Sequence, residues 1–257
     1  MPHPTPKIRD AEVAAVVYTR RNVRTQSHAR AVLSAIQALP SELRLSSFAP
    51  DETSEPRDLQ NDSSEFEAAW CGGVGDAQGS RFMILTSRRR VGPRALVAFA
   101  TARRATYSSL TLTIPKGLPS PATDPLLAVA AGLFHAFDGE FGAVRSRGEF
   151  LDQHGDADGG ASVVGVEFGA LLPGIYFATL FDQSLVSTFP SGWSAGLPAT
   201  AVHSLKSGGV LVQTAKTPHD WKSPDAIAAR KRIREQIGAS RFFDRGIAGV
   251  RGLGSPQ

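Results

Sequence analysis

Residues 201–237 constrain the fold more than any other stretch of this sequence. Two β-rich runs flank the turn-forming residues 206–209, which predicts a hairpin, and Pro218 ends the second run because proline cannot donate to a sheet ladder. Ser223 followed by Pro224 is typical of a helix start. Apolar residues then recur at helical spacing, at Ala226, Ala229, Ile233 and Ile237. The stretch therefore predicts a hairpin followed by a helix that packs back on it.

The composition is that of an ordinary globular protein. Of 257 residues, 42% are hydrophobic and 20% charged, and the formal net charge is +4. The one cysteine, Cys71, allows neither an internal disulfide nor a cysteine-based zinc site. The first ten residues contain no apolar run that would serve as a secretory signal, and no uninterrupted apolar stretch reaches the roughly 20 residues that a membrane span needs. These features predict a cytoplasmic protein with no membrane partner.

The alternation of short strand and helix patterns predicts an α+β fold, with antiparallel or mixed sheets and packed helices. We expect a flexible arm at 1–10, one domain at 11–245 and a flexible tail at 246–257. The pattern also allows two strand-helix-strand halves, at 11–150 and 160–245. The expected strands are 13–18, 43–45, 82–86, 95–100, 107–114, 163–168, 175–181 and the hairpin. Besides the closing helix, helices are expected from Thr25 or Ser27 to Pro40 and from Thr123 to Phe137.

Two stretches are acidic. Residues 50–67 contain seven acidic residues and one base, Arg57. The acids are Asp51, Glu52, Glu55, Asp58, Asp62, Glu65 and Glu67. Residues 138–158 form the second stretch, which includes Asp152, Asp156 and Asp158 but lacks the full ligand pattern of a calcium loop. Each stretch is either a solvated loop or a recognition surface for a basic partner.

Arginines are concentrated between residues 81 and 104, in and beside the connections of a predicted three-strand meander. They are Arg81, Arg88, Arg89, Arg90, Arg94, Arg103 and Arg104. A nucleic-acid surface has this kind of charge, but the interleaved aromatic residues of a stacking platform are missing. Solvated strand ends are the simpler interpretation, and nucleic-acid binding through an arginine-rich sheet remains an alternative.

One motif resembles a catalytic one. Residues 192–196 match the G-x-S-x-G nucleophile elbow around Ser194, but Pro190 and Pro198 flank it and obstruct the strand-turn-helix that the elbow requires. The available partners, His203, His219 and Asp220, come in an unusual order. No histidine pair has metal-ligand spacing, and no glycine run is followed by the lysine of a phosphate loop. We therefore expect no catalytic residue, metal or cofactor, with a serine hydrolase kept as a remote alternative.

The layout of the whole chain resembles the immunity protein 52 family of bacterial polymorphic toxin systems. The matching segments are HARAVLSAIQAL, LLAVAAGLFHAFDGEFG, LPGIYFATLF and GGVLVQTAKTPHDWKSPDAIAARKRIREQI. The most specific are the turn at 218–221 and the helix start at 223–225. Tyr18, Arg20 and Arg21 match the family's aromatic and arginine signature loosely.

The resemblance implies a binding protein that neutralises a cognate toxin. The implied partner is a type VI secretion nuclease effector, a DNase of the restriction-endonuclease-like class. Since such a toxin carries basic residues that grip phosphates, carboxylates of the inhibitor are the expected contacts. The expected contact residues are Asp51, Glu52, Glu55, Asp58, Asp62, Glu65, Glu67, Asp152, Asp156 and Asp158, with Trp70 and Trp193 as aromatic anchors. A homo-oligomer remains open, and nucleic acid is not an expected partner of this class.

Overall fold

A ten-stranded sheet organises the computed structural model. The residues that it describes are 13–50, 54–72, 81–89, 91–100, 107–115, 123–154, 171–197 and 201–243. The strands are β1 (Val13–Thr19), β2 (Ser47–Ala49), β3 (Arg57–Asp58), β4 (Arg81–Thr86), β5 (Arg94–Phe99), β6 (Ser108–Ile114), β7 (Phe141–Ser146), β8 (Ala178–Phe181), β9 (Ala201–Ser204) and β10 (Val210–Gln213). The helices are α1 (Gln26–Gln37), α2 (Ser63–Gly72), α3 (Thr123–Ala136), α4 (Arg147–His154), α5 (Gln183–Val186) and α6 (Pro224–Ile237).

The strand order is β3-β2-β4-β5-β6-β1-β7-β8-β10-β9, and every neighbouring pair is antiparallel. This confirms the predicted α+β class. The first strand of the chain lies in the interior of the sheet, between β6 and β7. Its register pairs Val13 with Ile114 on one side and with Ser146 on the other. The sheet is therefore held together by contacts between residues that are far apart in the sequence.

The predicted helices and the closing hairpin are confirmed, with their caps. Thr25 precedes α1, and its hydroxyl accepts a hydrogen bond from the His28 amide at 3.4 Å. The Ser223 hydroxyl accepts from the Ala226 amide at 3.2 Å at the start of α6. These bonds satisfy amides that a helix leaves unpaired in its first turn.

The strand predicted at 43–45 is wrong. Residues Ser41–Leu43 form a helical turn, closed by a hydrogen bond from the Leu43 amide to the Pro40 carbonyl at 2.9 Å, and the strand β2 follows it. Leu43 and Leu45 are both buried, so their alternation reflects insertion into the core. The strand predicted at 175–181 is also shorter, since only Ala178–Phe181 pair in the sheet. The arm at 1–10, the strand at 163–168 and the tail at 246–257 lie outside the described residues.

The acidic stretches are not simply loops. The first contains β3 and the start of α2, and the second contains β7 and α4. In α2, Phe66 and Trp70 lie one helical turn apart and are fully buried, which holds an otherwise polar segment on the core. Few apolar residues at the right spacing were enough to form this helix, and the surrounding acids obscured them in the sequence.

One face of the sheet is covered by α1, α2 and α3. Trp70 is central to this layer, with edge-on contacts to Phe99 and Phe137 at ring-centroid distances of 5.0 and 6.1 Å. Its indole Nε1 donates to the Val23 carbonyl at 2.6 Å. The position of Trp70 therefore does not support its predicted role as a partner anchor, because no part of the side chain reaches the surface of the folded chain.

The opposite face of the sheet is covered at the end that contains β7, β8 and β10. Ile233 and Ile237 of α6 join Phe141 and Phe181 in a second buried cluster. Trp193 belongs to it, with its ring 5.2 Å from Phe189, and is only 8% exposed. Core packing therefore accounts for Trp193 as well, and its predicted role as a partner anchor is not supported by its position. No helix among the described residues is long and apolar enough to cross a membrane.

Trp70→Phe should lower the free energy of unfolding by about 1–3 kcal/mol, because it removes buried volume and leaves the Val23 carbonyl without its indole donor. Urea unfolding followed by circular dichroism measures the change. Ile227→Ala, at a residue 50% exposed on α6, is the control and should shift stability by less than about 0.5 kcal/mol. Equal effects of the two substitutions would contradict the central position of Trp70.

Candidate partner-binding surface

Part of the second face of the sheet, over β4, β5 and β6, presents side chains to solvent. We call this surface the open face, and its residues are Phe82, Ile84, Arg94, Leu96, Ala98, Thr111 and Thr113. Their alternate neighbours, such as Met83 and Val97, are buried under α1–α3, which fixes the orientation of each strand. Leu96 is 46% exposed and lies in register with Ile84 on one side and Thr111 on the other. An apolar centre exposed on a rigid sheet is typical of an interaction surface.

A cavity of about 220 Å³ lies where the open face meets α4. It is lined by Ala14, Thr111, Thr113, Arg145, Arg147, Phe150 and Leu151. The Arg145 guanidinium carbon lies 3.6 Å from the centroid of the Phe150 ring, which holds this cation in a defined position. Arg145 forms no ion pair with any described residue. The cavity therefore combines fixed positive charge with hydroxyl groups.

Behind Arg145 lies a buried polar cluster. The His154 Nε2 and the Tyr176 hydroxyl are 2.7 Å apart, and burial raises the pKa of Tyr176. Burial, with a smaller contribution from the charge of Arg145, lowers the pKa of His154 to about 4, so the imidazole is neutral at physiological pH. His154 and Tyr176 are therefore both uncharged at physiological pH, and Arg145 is the charged member of this cluster.

Glu149 and Arg230 form a buried ion pair that joins α4 to α6. Arg230 donates to the Glu149 carboxylate at 3.2 Å and to the Trp221 carbonyl at 2.7 Å. Burial raises the pKa of Glu149 to about 7, against the opposing effects of the Phe177 backbone amide and the Arg230 charge. One oxygen of this carboxylate has no hydrogen-bond partner. The pair thus holds the helices over the sheet at a desolvation cost.

A second group of ion pairs joins the ends of β1, β7 and β8. Arg21 contacts Asp138 and Asp182, both at 2.6 Å, and Arg20 contacts Glu140 at 2.7 Å. Burial alone would raise the pKa of Glu140, but the hydrogen bonds from Arg20 outweigh it and hold that pKa below its usual value. Asp138 has a φ of 49°, the left-handed conformation, which aligns its carboxylate with Arg21 in a tight turn. The arginines of the family-like signature are therefore engaged within the chain.

Of the six predicted acidic contact residues that the structure describes, four are bound within the chain. The Asp58 carboxylate accepts from the amides of Gln60 and Asn61 at 2.7 and 3.2 Å, which lowers its pKa. Asp62 accepts from the Asp58 amide at 3.0 Å. Glu55 and Asp152 are exposed, whereas Asp51, Glu52, Asp156 and Asp158 lie outside the described residues.

Two further acids of the first stretch are paired with arginines. Glu65 lies 2.7 Å from Arg57, and Glu67 lies 2.9 Å from Arg30. The hydrogen bond from Arg30 lowers the pKa of Glu67. The stretch that looked strongly negative in the sequence is thus partly balanced by neighbouring bases in the fold, which weakens the case for it as an acidic recognition surface.

The arginines of the meander divide between two places. Arg94 is exposed on the open face, whereas Arg88 and Arg89 lie at the end of the sheet and line a cavity of about 300 Å³ that also includes Asp58. The side chain of Arg81 and the residues Arg90, Arg103 and Arg104 are not described. The described arginines do not form a continuous stripe along the sheet.

Residues 192–196, which form the G-x-S-x-G motif, lie in turns. The preceding regular elements are α5 and, further back, β8, so no strand leads directly into Ser194. The strand-turn-helix geometry of a nucleophile elbow is therefore absent from residues 181–197.

The fold of this protein belongs to the α+β class and is built on a single antiparallel sheet. No family model matches the sequence, and no curated protein matches it. Among solved structures, the fold is similar to that of the Pseudomonas aeruginosa T6SS protein PA0821, with a TM-score of 0.62 and 12% sequence identity. The match covers 91% of this chain and 74% of that one. At this identity the fold is what the two proteins share, and membership of the immunity protein 52 family stays a prediction.

We expect Glu149→Gln to change the pH dependence of stability. Because the pKa of Glu149 rises from 4.5 to about 7 on folding, the native chain binds more protons than the unfolded chain between these values. The unfolding free energy of the wild type should therefore fall relative to the variant as the pH rises from 4.5 to 7, and the difference should stay constant above that range. Since His154 is present in both proteins, its opposite contribution cancels. Urea titrations at half-unit pH intervals measure this difference, and a pH-independent difference would contradict the assignment.

Proposed function

We propose that this chain is an immunity protein that binds and neutralises a nuclease effector of a type VI secretion system in the bacterial cytosol. The observation that carries the proposal is the open face, where an exposed leucine, flanking apolar side chains and basic residues lie on a rigid sheet. This arrangement suits binding to another protein. The link to type VI secretion comes from the fold shared with PA0821 and from the sequence resemblance to immunity proteins.

Neutralisation by a binding protein requires a rigid surface rather than reactive groups. The open face is backed by a fully packed layer, since Met83, Val97 and Leu110 beneath it are 1% exposed or less. A preorganised surface of this kind loses little conformational entropy on association. Such a surface supports the proposal that the chain occupies or distorts the active site of a toxin.

The proposal predicts that the purified chain inhibits DNA cleavage by one member of a panel of type VI nuclease effector domains. Inhibition should be complete near a one-to-one ratio, because a dedicated inhibitor binds its target tightly. Plasmid cleavage followed on gels measures it, and growth of bacteria producing both proteins is the matching test in cells. An unrelated nuclease serves as the control and should remain active. If no effector in the panel is bound or inhibited, the proposal is wrong.

The acidic-surface hypothesis makes a separate prediction for the same assay. Glu55→Lys and Glu65→Lys change exposed carboxylates and leave the turn that Asp58 closes intact. If the first acidic stretch contacts a basic toxin, these substitutions should weaken binding by about tenfold or more, with the loss mainly in the association rate. If the contact lies elsewhere, as the pairing of Glu65 with Arg57 indicates, binding should change by less than about threefold. Surface plasmon resonance at low and moderate salt distinguishes the two results.

A further inference from the structure

We infer that the open face is the docking surface for the effector, and that it fits a partner patch with an apolar centre and carboxylates at its edge. This inference rests on the proposed function and specifies its partner. The sequence predicted carboxylates on this chain and basic residues on the toxin. In the present inference this chain supplies the cations and the effector supplies the carboxylates.

The first step of the argument is the charge of the surface. Arg94 is exposed on the open face and, like Arg145, forms no ion pair with a described residue. By contrast, Glu65 and Glu67 of the acidic stretch already have arginine partners within the chain. Arg94 and Arg145 therefore leave the open face with a positive charge that these ion pairs do not balance, which favours an acidic partner there.

The second step concerns the cavity at the edge of the open face. Arg145 is held over the Phe150 ring, and the hydroxyls of Thr111 and Thr113 line the same space. A volume of about 220 Å³ can take one aspartate or glutamate side chain of a partner. Guanidinium and hydroxyl donors are the groups that bind a carboxylate. The cavity is thus suited to the acidic edge of a partner whose apolar centre lies on Leu96.

The third step excludes the other occupants of such a face. A second copy docked symmetrically through this face would place two positively charged surfaces against each other, which is unfavourable. A DNA duplex carries a charge about every 1.7 Å along its axis and requires a stripe of cations, whereas the centre of the open face is Leu96, Ile84 and Phe82. An apolar centre with a few cations at its edge is the anatomy of a protein–protein interface.

The test measures binding of the inhibited effector domain to full-length variants by isothermal titration calorimetry. Leu96→Glu should weaken binding by about 30-fold or more, because it places a charge at the apolar centre. Arg94→Glu should weaken binding by about tenfold and reduce its salt dependence. Ile227→Glu is the matched control, since Ile227 is 50% exposed against 46% for Leu96 but lies on α6, and it should bind within about twofold of the wild type. Thermal unfolding of each variant verifies that it folds.

The outcomes separate this inference from the proposed function. If the wild type inhibits an effector and both open-face variants bind it as tightly, the function stands and the docking surface is wrong. If the wild type inhibits no effector, both are wrong. A salt-sensitive complex of the wild type with a 20-base-pair DNA duplex, lost in Arg94→Glu, would also overturn the inference in favour of a nucleic-acid surface.

Discussion

The structure depends on a sheet whose central strands are covered by helices on one face, whereas the other face is covered only in part. Three helices cover the first face, whereas among the described residues α4, α6 and the segment around Trp193 cover the second face over β7, β8 and β10. The remaining strands pack on one side and still keep a defined register, because their neighbours pair on both edges. The exposed half can therefore be rigid and apolar together, which a loop of the same composition could not be.

Much of the fold was predictable because local signals agreed with the final structure. The helices at 123–136 and 224–237 each combined a terminus signal with the correct period, and the strand at 108–114 had clean alternation. Signals of this kind could not locate the strands β2, β3 and β7 or the helices α2 and α4. Their segments are short or polar, and tertiary burial of a few residues such as Phe66 and Phe141 decides their structure.

The candidate surface was harder to predict than the fold. Counting charges along the sequence emphasised residues 50–67, but charges cancel between residues that are distant in sequence, as Glu67 and Arg30 show. Leu96 was part of a predicted strand, yet only the sheet order shows that its side faces solvent. The signal that could have pointed to it is the alternation of threonine with leucine in 110–113, since the hydroxyl side of such a strand is commonly exposed.

The interior position of the first strand determines when this fold can form. β1 pairs with β6 and β7, so its hydrophobic sequence VAAVVYT has both partners only after residue 146 has joined the chain. Pairing across such separations closes large loops before any contact compensates for them, which slows folding in chains of high contact order. During synthesis the emerging strand therefore remains unpaired on both edges until β6 has followed it, and on one edge until β7 has, in a state open to aggregation or chaperone capture.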